Sequence, residues 1–109
     1  MRELEEILDK VEGLLGNVRE AFLREQTMLE QRDIAKAAEE SERGIRLLND
    51  AANILAEAPK TVQRSDIDTA TQGRLEGLRV TMLELGRLEM KNLRMGVRLM
   101  NAFRQGQAH

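Results

Sequence analysis

The sequence predicts an all-α fold: an antiparallel three-helix coiled-coil bundle with a long C-terminal helix. Three observations lead there. Apolar residues make up 41% of the 109-residue chain but aromatics only 2%, with neither Trp nor Tyr, a composition that disfavours sandwiches and barrels. Apolar positions recur at spacings of three and four rather than two, which is the helical period. A single proline, Pro59, leaves long stretches uninterrupted on either side.

The first helix is expected over about 2–31. Leu4, Leu8, Val11, Leu15, Val18, Phe22 and Leu29 form its stripe, and only Glu25 breaks it. A second series, Ile34, Ala38, Ser41, Ile45, Leu48, Ala52 and Leu55, keeps the spacing but not the register. The slip falls beside Asp33, a suitable N-cap, so either a tight turn makes a helical hairpin or one long rod carries a stutter. The hairpin is preferred. Pro59 is expected to stop the second helix near residue 57 and to open a connector over 58–65. Ser65 or Asp66 then caps a third helix over about 66–104. Residues 1–109 read as one domain, with the end of the third helix projecting past the hairpin.

Charge is divided along the chain. Residues 1–57 hold 14 acids against 8 bases, and residues 58–109 hold 5 against 9, as expected of an acidic hairpin beside a basic third helix. Without a strongly basic domain, aromatics or a recognition motif, nucleic acid is not an expected partner. No apolar run reaches the ~18 residues of a membrane span, and Arg2-Glu3-Leu4-Glu5-Glu6 has no signal-peptide character. With no cysteine in the chain, the expectation is a soluble, cytoplasmic protein without membrane insertion.

Chemistry-bearing motifs are missing. The one histidine is the terminal His109, and the sequence has no phosphate loop, no zinc-ligand spacing and no calcium loop around Asp66-Ile67-Asp68. Glu39, Glu40 and Glu42 are the densest carboxylates and read as a solvated helix face. Neither catalysis nor a cofactor is expected.

The third helix is where function is expected. Met82, Leu83, Leu85, Leu88, Met90, Leu93, Met95, Val97, Leu99, Met100 and Phe103 sweep an arc of roughly 240° at about 100° per residue. A surface helix needs an apolar stripe only a little over ~100° wide. Leu78, Leu85, Leu88 and Leu99 are assigned to the internal bundle. The partner-binding set is Met82, Met90, Asn92, Leu93, Met95, Val97, Met100 and Phe103, with Arg94 and Arg98 from the basic stripe that also holds Arg87 and Lys91. Asn92, inside the arc, is either a register-setting core residue or a hydrogen-bonding group offered to a partner. The methionines Met82, Met90, Met95 and Met100 suit a surface that accepts variable helices. Gly73, Gly77, Gly86 and Gly96 reflect either close helix packing or a helix kept marginal until a partner orders it.

Two stretches carry a resemblance. Leu23-Arg24-Glu25-Gln26 through Leu29 to Asp33-Ile34, and on to Arg43, Ile45, Leu47 and Leu48, is similar to the long charged helix, acidic break and second helix of the FlgN family of flagellar type III export chaperones. The segment Leu88-Glu89-Met90-Lys91-Asn92-Leu93-Arg94-Met95-Gly96-Val97-Arg98-Leu99-Met100-Asn101 resembles that family's C-terminal helix, although the third helix here carries more glycine. The resemblance implies a cytoplasmic chaperone that binds hook-filament junction (hook-associated) proteins or other export clients through this helix. It would keep them from polymerising and deliver them to components of the export apparatus. The competing expectation is a structural coiled-coil adaptor, a homodimer whose second apolar face is covered by its own copy.

Overall fold

The computed structural model describes residues 2–61 and 68–107, with the side chains of residue 2, residues 58–61 and residue 107 left out of account. Within them the chain forms three helices and no strand: α1 (Arg2–Glu30), α2 (Ile34–Thr61) and α3 (Thr69–Gln107). Together they make a rod 65 × 19 × 17 Å in extent. The all-α bundle expected from composition and periodicity is what is found.

The α1 stripe is buried along its whole length. Leu4, Leu8, Val11, Leu15, Val18, Phe22 and Leu29 are each at most 7% exposed, which places α1 at the centre of the molecule between α2 and α3. The chain then reverses. Asp33 N–H donates to the Met28 carbonyl at 2.8 Å, closing the end of α1, and Arg32 takes a φ of 62°. Asp33 is the expected N-cap, its Oδ1 accepting the Lys36 N–H at 3.1 Å. The break is therefore a hairpin turn, not a stutter.

The α2 face turned to α1 differs in part from the expected one, since Leu48 and Leu55 pack against the core as expected while the first half is rotated. Its buried positions are Ala37, Gly44 and Ala51, seven residues apart, whereas Ile34 and Ser41 are half-buried and Ala38 and Ile45 are exposed. Packing explains the rotation. Small side chains at the contact let two helices approach closely, and the ring of Phe22 lies directly over Gly44. Leu47, Leu48, Ile54 and Leu55 flank this line and pack against the core from either side. The helix also runs past Pro59 to Thr61, because a proline in the last turn forfeits only a bond near the helix end.

Asp68 caps α3, its Oδ1 accepting the Thr71 N–H at 2.7 Å. The expected caps Ser65 and Asp66 lie outside the described residues. At one end of α3, Arg74 pairs with Asp9 at 2.8 Å and Glu12 at 2.9 Å of α1. Further along, Asn92 bonds Phe22, and Gly96 lies opposite Leu29. The two helices thus advance in the same direction, with α2 antiparallel to both. Beyond Gly96, α3 continues to Gln107, about 16 Å past the level of Leu29 at ~1.5 Å per residue. Residues 101–106 on this projection are all exposed.

The glycines separate into two kinds. A Cβ on Gly44 would sit 2.6 Å from Phe22 Cδ1, whereas one on Gly77 would meet nothing within 4 Å. Gly44→Ala is therefore expected to destabilise by about 1–3 kcal/mol through overpacking. Gly77→Ala should stabilise by up to ~1 kcal/mol through helix propensity. Thermal melts followed by circular dichroism read both, and a neutral Gly44→Ala would mean that α2 can move off α1 without cost. Open space also surrounds Gly73 and Gly86, so close packing does not account for the α3 glycines as a group.

Candidate functional site

Two apolar seams run along α3. The inner one is Leu78, Met82, Leu85, Glu89, Asn92, Gly96 and Leu99, at alternating spacings of four and three. Leu78, Leu85, Glu89 and Asn92 of this series are buried. The outer one is Leu83, Gly86, Met90, Leu93, Val97 and Met100, at alternating spacings of three and four. Its large side chains are 59%, 52%, 47%, 52% and 46% exposed in chain order. Knobs-into-holes packing requires this repeat, so the wide arc of the sequence resolves into one seam used by α1 and one without a partner.

The predicted binding residues divide accordingly. Met90, Leu93, Val97 and Met100 lie on the outer seam, Phe103 stands on the projecting end at 40% exposure, and Arg94 and Arg98 are exposed beside them. Met95 is half-buried. Met82 packs against the core cluster, because its place in the inner seam turns it toward α1. Asn92 is fully buried; its Nδ2 donates to the Phe22 carbonyl at 2.9 Å and to Glu25 Oε1 at 3.1 Å. Its amide nitrogen is thus spent inside the bundle.

A groove opens where α2 and α3 diverge over α1. It encloses about 460 Å³ and is lined by Leu29 of α1, by Ile34, Ala37, Ala38, Ser41, Glu42 and Ile45 of α2, and by Leu93, Gly96, Val97 and Met100 of α3, with Glu25 and Asn92 at its floor. The walls are largely apolar. The α2 surface displaced by the Ala37-Gly44-Ala51 packing, notably Ala38 and Ile45, is the surface that α3 leaves uncovered. A shallower hollow beside it is bounded by Met90, Leu93, Arg94, Val97 and Arg98.

Beneath the groove lies a buried polar cluster that the sequence reading did not assemble. Glu25 is 3% and Glu89 6% exposed. Their carboxyl groups adjoin, and two like charges so close in a buried site disfavour ionisation of both. Ser41 Oγ donates to Glu89 Oε1 at 2.8 Å, tying α2 to α3. Burial, and then the adjoining Glu89 carboxyl, push the Glu25 carboxyl from 4.5 up to about 8. The available signal was positional: Glu25 interrupts the α1 stripe, and Glu89 falls between Leu85 and Asn92 in the inner seam. Of the carboxylates read as a solvated face, Glu39 and Glu42 are exposed but Glu40 is half-buried, with Arg43 at 3.9 Å.

Among the described residues, no group of three His, Cys, Asp or Glu side chains is placed to hold a metal ion. No described helix is long and apolar enough to cross a membrane. Comparison with protein-family models, curated proteins and solved structures finds no match to this chain.

Proposed function

We propose that this protein is a helix-binding chaperone of the flagellar export type, which holds an amphipathic helix of a hook-associated client in the groove between α2 and α3. The observation that carries the binding part is the outer seam: a complete heptad series on an ordered helix, roughly half exposed along its length. Helix-in-groove recognition uses such anchors at i, i+3, i+4 and i+7. The client class rests on the resemblance of the Leu23–Asp33 and Leu88–Asn101 segments to the FlgN family, and with it come the cytoplasmic setting and delivery to the export apparatus. The role needs no catalysis.

Charge favours a foreign helix over a second copy of α3. The positions flanking the outer seam on one side are Arg87 and Arg94, both exposed. On the other side stand Met82, Glu89 and Gly96, whose one acid is buried. Paired with its own copy, the seam would leave both arginines without an acidic partner, whereas a helix with acidic flanks complements them.

The test is titration calorimetry of the purified protein against hook-associated proteins encoded in the same genome. A complex is expected in which Leu93→Asp with Val97→Asp abolishes binding while helicity is unchanged. Arg94→Glu with Arg98→Glu should slow association and weaken its dependence on salt. If none of these proteins binds, or if Leu93→Asp instead dissociates a stable homodimer, the proposal fails and the adaptor reading replaces it.

A further inference from the structure

The polar cluster under the groove has spent its donors and still has acceptors to satisfy. Both hydrogens of Asn92 Nδ2 are engaged, one by Phe22 and one by Glu25, and the Ser41 hydroxyl is engaged by Glu89. Asn92 Oδ1 and Glu89 Oε2 remain buried without a hydrogen-bond partner. The Phe22 carbonyl can only accept, which fixes the amide orientation and leaves Asn92 Oδ1 in need of a donor. Native structures rarely leave such atoms unsatisfied.

Carboxyl groups at and around the cluster come from all three helices. Glu25 comes from α1, Glu40 and Glu42 from α2, and Glu89 from α3. The neighbouring cations on α2 are already engaged, Arg43 with Glu40 at 3.9 Å and Arg46 with Glu42 at 3.3 Å. On α3, Lys91 and Arg94 are exposed to solvent. A group entering from the groove is therefore rewarded for bringing both donors and positive charge.

We infer that the helix received by this groove carries a lysine or arginine on its apolar face, whose head group reaches the floor and bonds Glu25 and Asn92, with Glu89 adding its charge from beneath. An ammonium offers three donors and no acceptor, which matches a site with acceptors only. This inference rests on the groove being a helix-binding site, and it adds the feature that would distinguish a true client from any amphipathic helix. The cation takes the place of the proton that burial holds on Glu25, so binding releases a proton into solvent.

The probes are synthetic amphipathic peptides of about 18 residues, long enough to span the groove, with acidic flanks and an N-terminal Trp. Lysine is placed in turn at each apolar position, and norleucine replaces it in the control. Because the protein has no Trp or Tyr, Trp emission reports the peptide alone. At about pH 8 the best lysine peptide is expected to bind the wild-type protein at least about tenfold more tightly than the norleucine peptide. The ratio should shrink as the pH falls toward about 6, since the carboxyl proton must then be displaced. Glu25→Gln with Glu89→Gln should erase it.

Equal or tighter binding of the norleucine peptide would overturn the inference while leaving the groove reading intact. A lysine advantage that survives Glu25→Gln with Glu89→Gln would also overturn it, because the cation would then be held elsewhere. Failure of every peptide to bind would remove the groove reading and this inference together.

Discussion

Leu85→Ala lowers the thermal midpoint by roughly 10 °C or more, while Met90→Ala combined with Leu93→Ala leaves it nearly unchanged. Leu85 is 1% exposed in the inner seam, whereas Met90 and Leu93 are 52% and 47% exposed in the outer one. Truncating a buried leucine costs about 2–5 kcal/mol. In a domain of this size each kcal/mol moves the midpoint by roughly 4–8 °C, and total stability is only about 5–15 kcal/mol. The outer pair has little burial to lose in the free protein, yet it should lose most client affinity, since interface anchors concentrate binding energy. Circular dichroism melts with client titration separate the two effects. Equal destabilisation by both changes would show that the outer seam is already covered in solution.

Acidification from about pH 8 toward pH 5 should stabilise the fold, and Glu25→Gln should abolish most of that dependence. The folded-state carboxyl lies at about 8 against an ordinary 4.5. Between those values the folded protein holds a proton that the unfolded chain has lost. Stability therefore falls as the pH rises through this window, by at most ~1.4 kcal/mol per pH unit for one proton. Glutamine keeps the Oε1 acceptor used by Asn92 and adds donors that can face Glu89. The variant should thus melt higher than wild type at about pH 8 and draw level near pH 5. The capping carboxylate of Asp68 is shifted the other way, lowered from 3.8 by its bonds to Thr71, so its contribution is lost only under more acidic conditions. A wild-type melting point that is flat or rising between about pH 5 and 8 would mean that Glu25 is ionised in the folded state.

How much of this was legible in the residues depends on how many neighbours each helix has. The α1 stripe was fully readable because α1 is packed on both sides, so every residue of the stripe is buried. Reading α2 succeeded in part: Leu48 and Leu55 of the expected stripe pack against the core, but Ala38 and Ile45 are exposed. Periodicity weights large apolar residues, whereas the contact is made by Ala37, Gly44 and Ala51, which hydropathy barely distinguishes from surface. The width of the α3 arc pointed correctly to surplus apolar surface. Its division into inner and outer seams was mostly recovered, except that Met82 faces inward. The Glu25–Glu89 contact joins residues far apart in the chain, and only the register of α3 on α1 brings them together. At the turn, Arg32 adopts a conformation usually left to glycine, so no glycine marked it. Asp33 did mark the helix start, because capping is a local interaction between residues three apart.

The placement of α1 between the other two helices gives the molecule an order of coming apart. α2 and α3 each lean on α1 and are linked to each other by the Ser41–Glu89 bond, so α3 is expected to lift away while the hairpin persists. Amide exchange should accordingly be slowest in the middle of α1 and fastest in the last turns of α3, where residues 101–106 have no neighbouring helix. The helix that presents the outer seam is thus also the first to open. Any ligand bound along it would act as a clasp, holding the least secure element of the rod against the most secure.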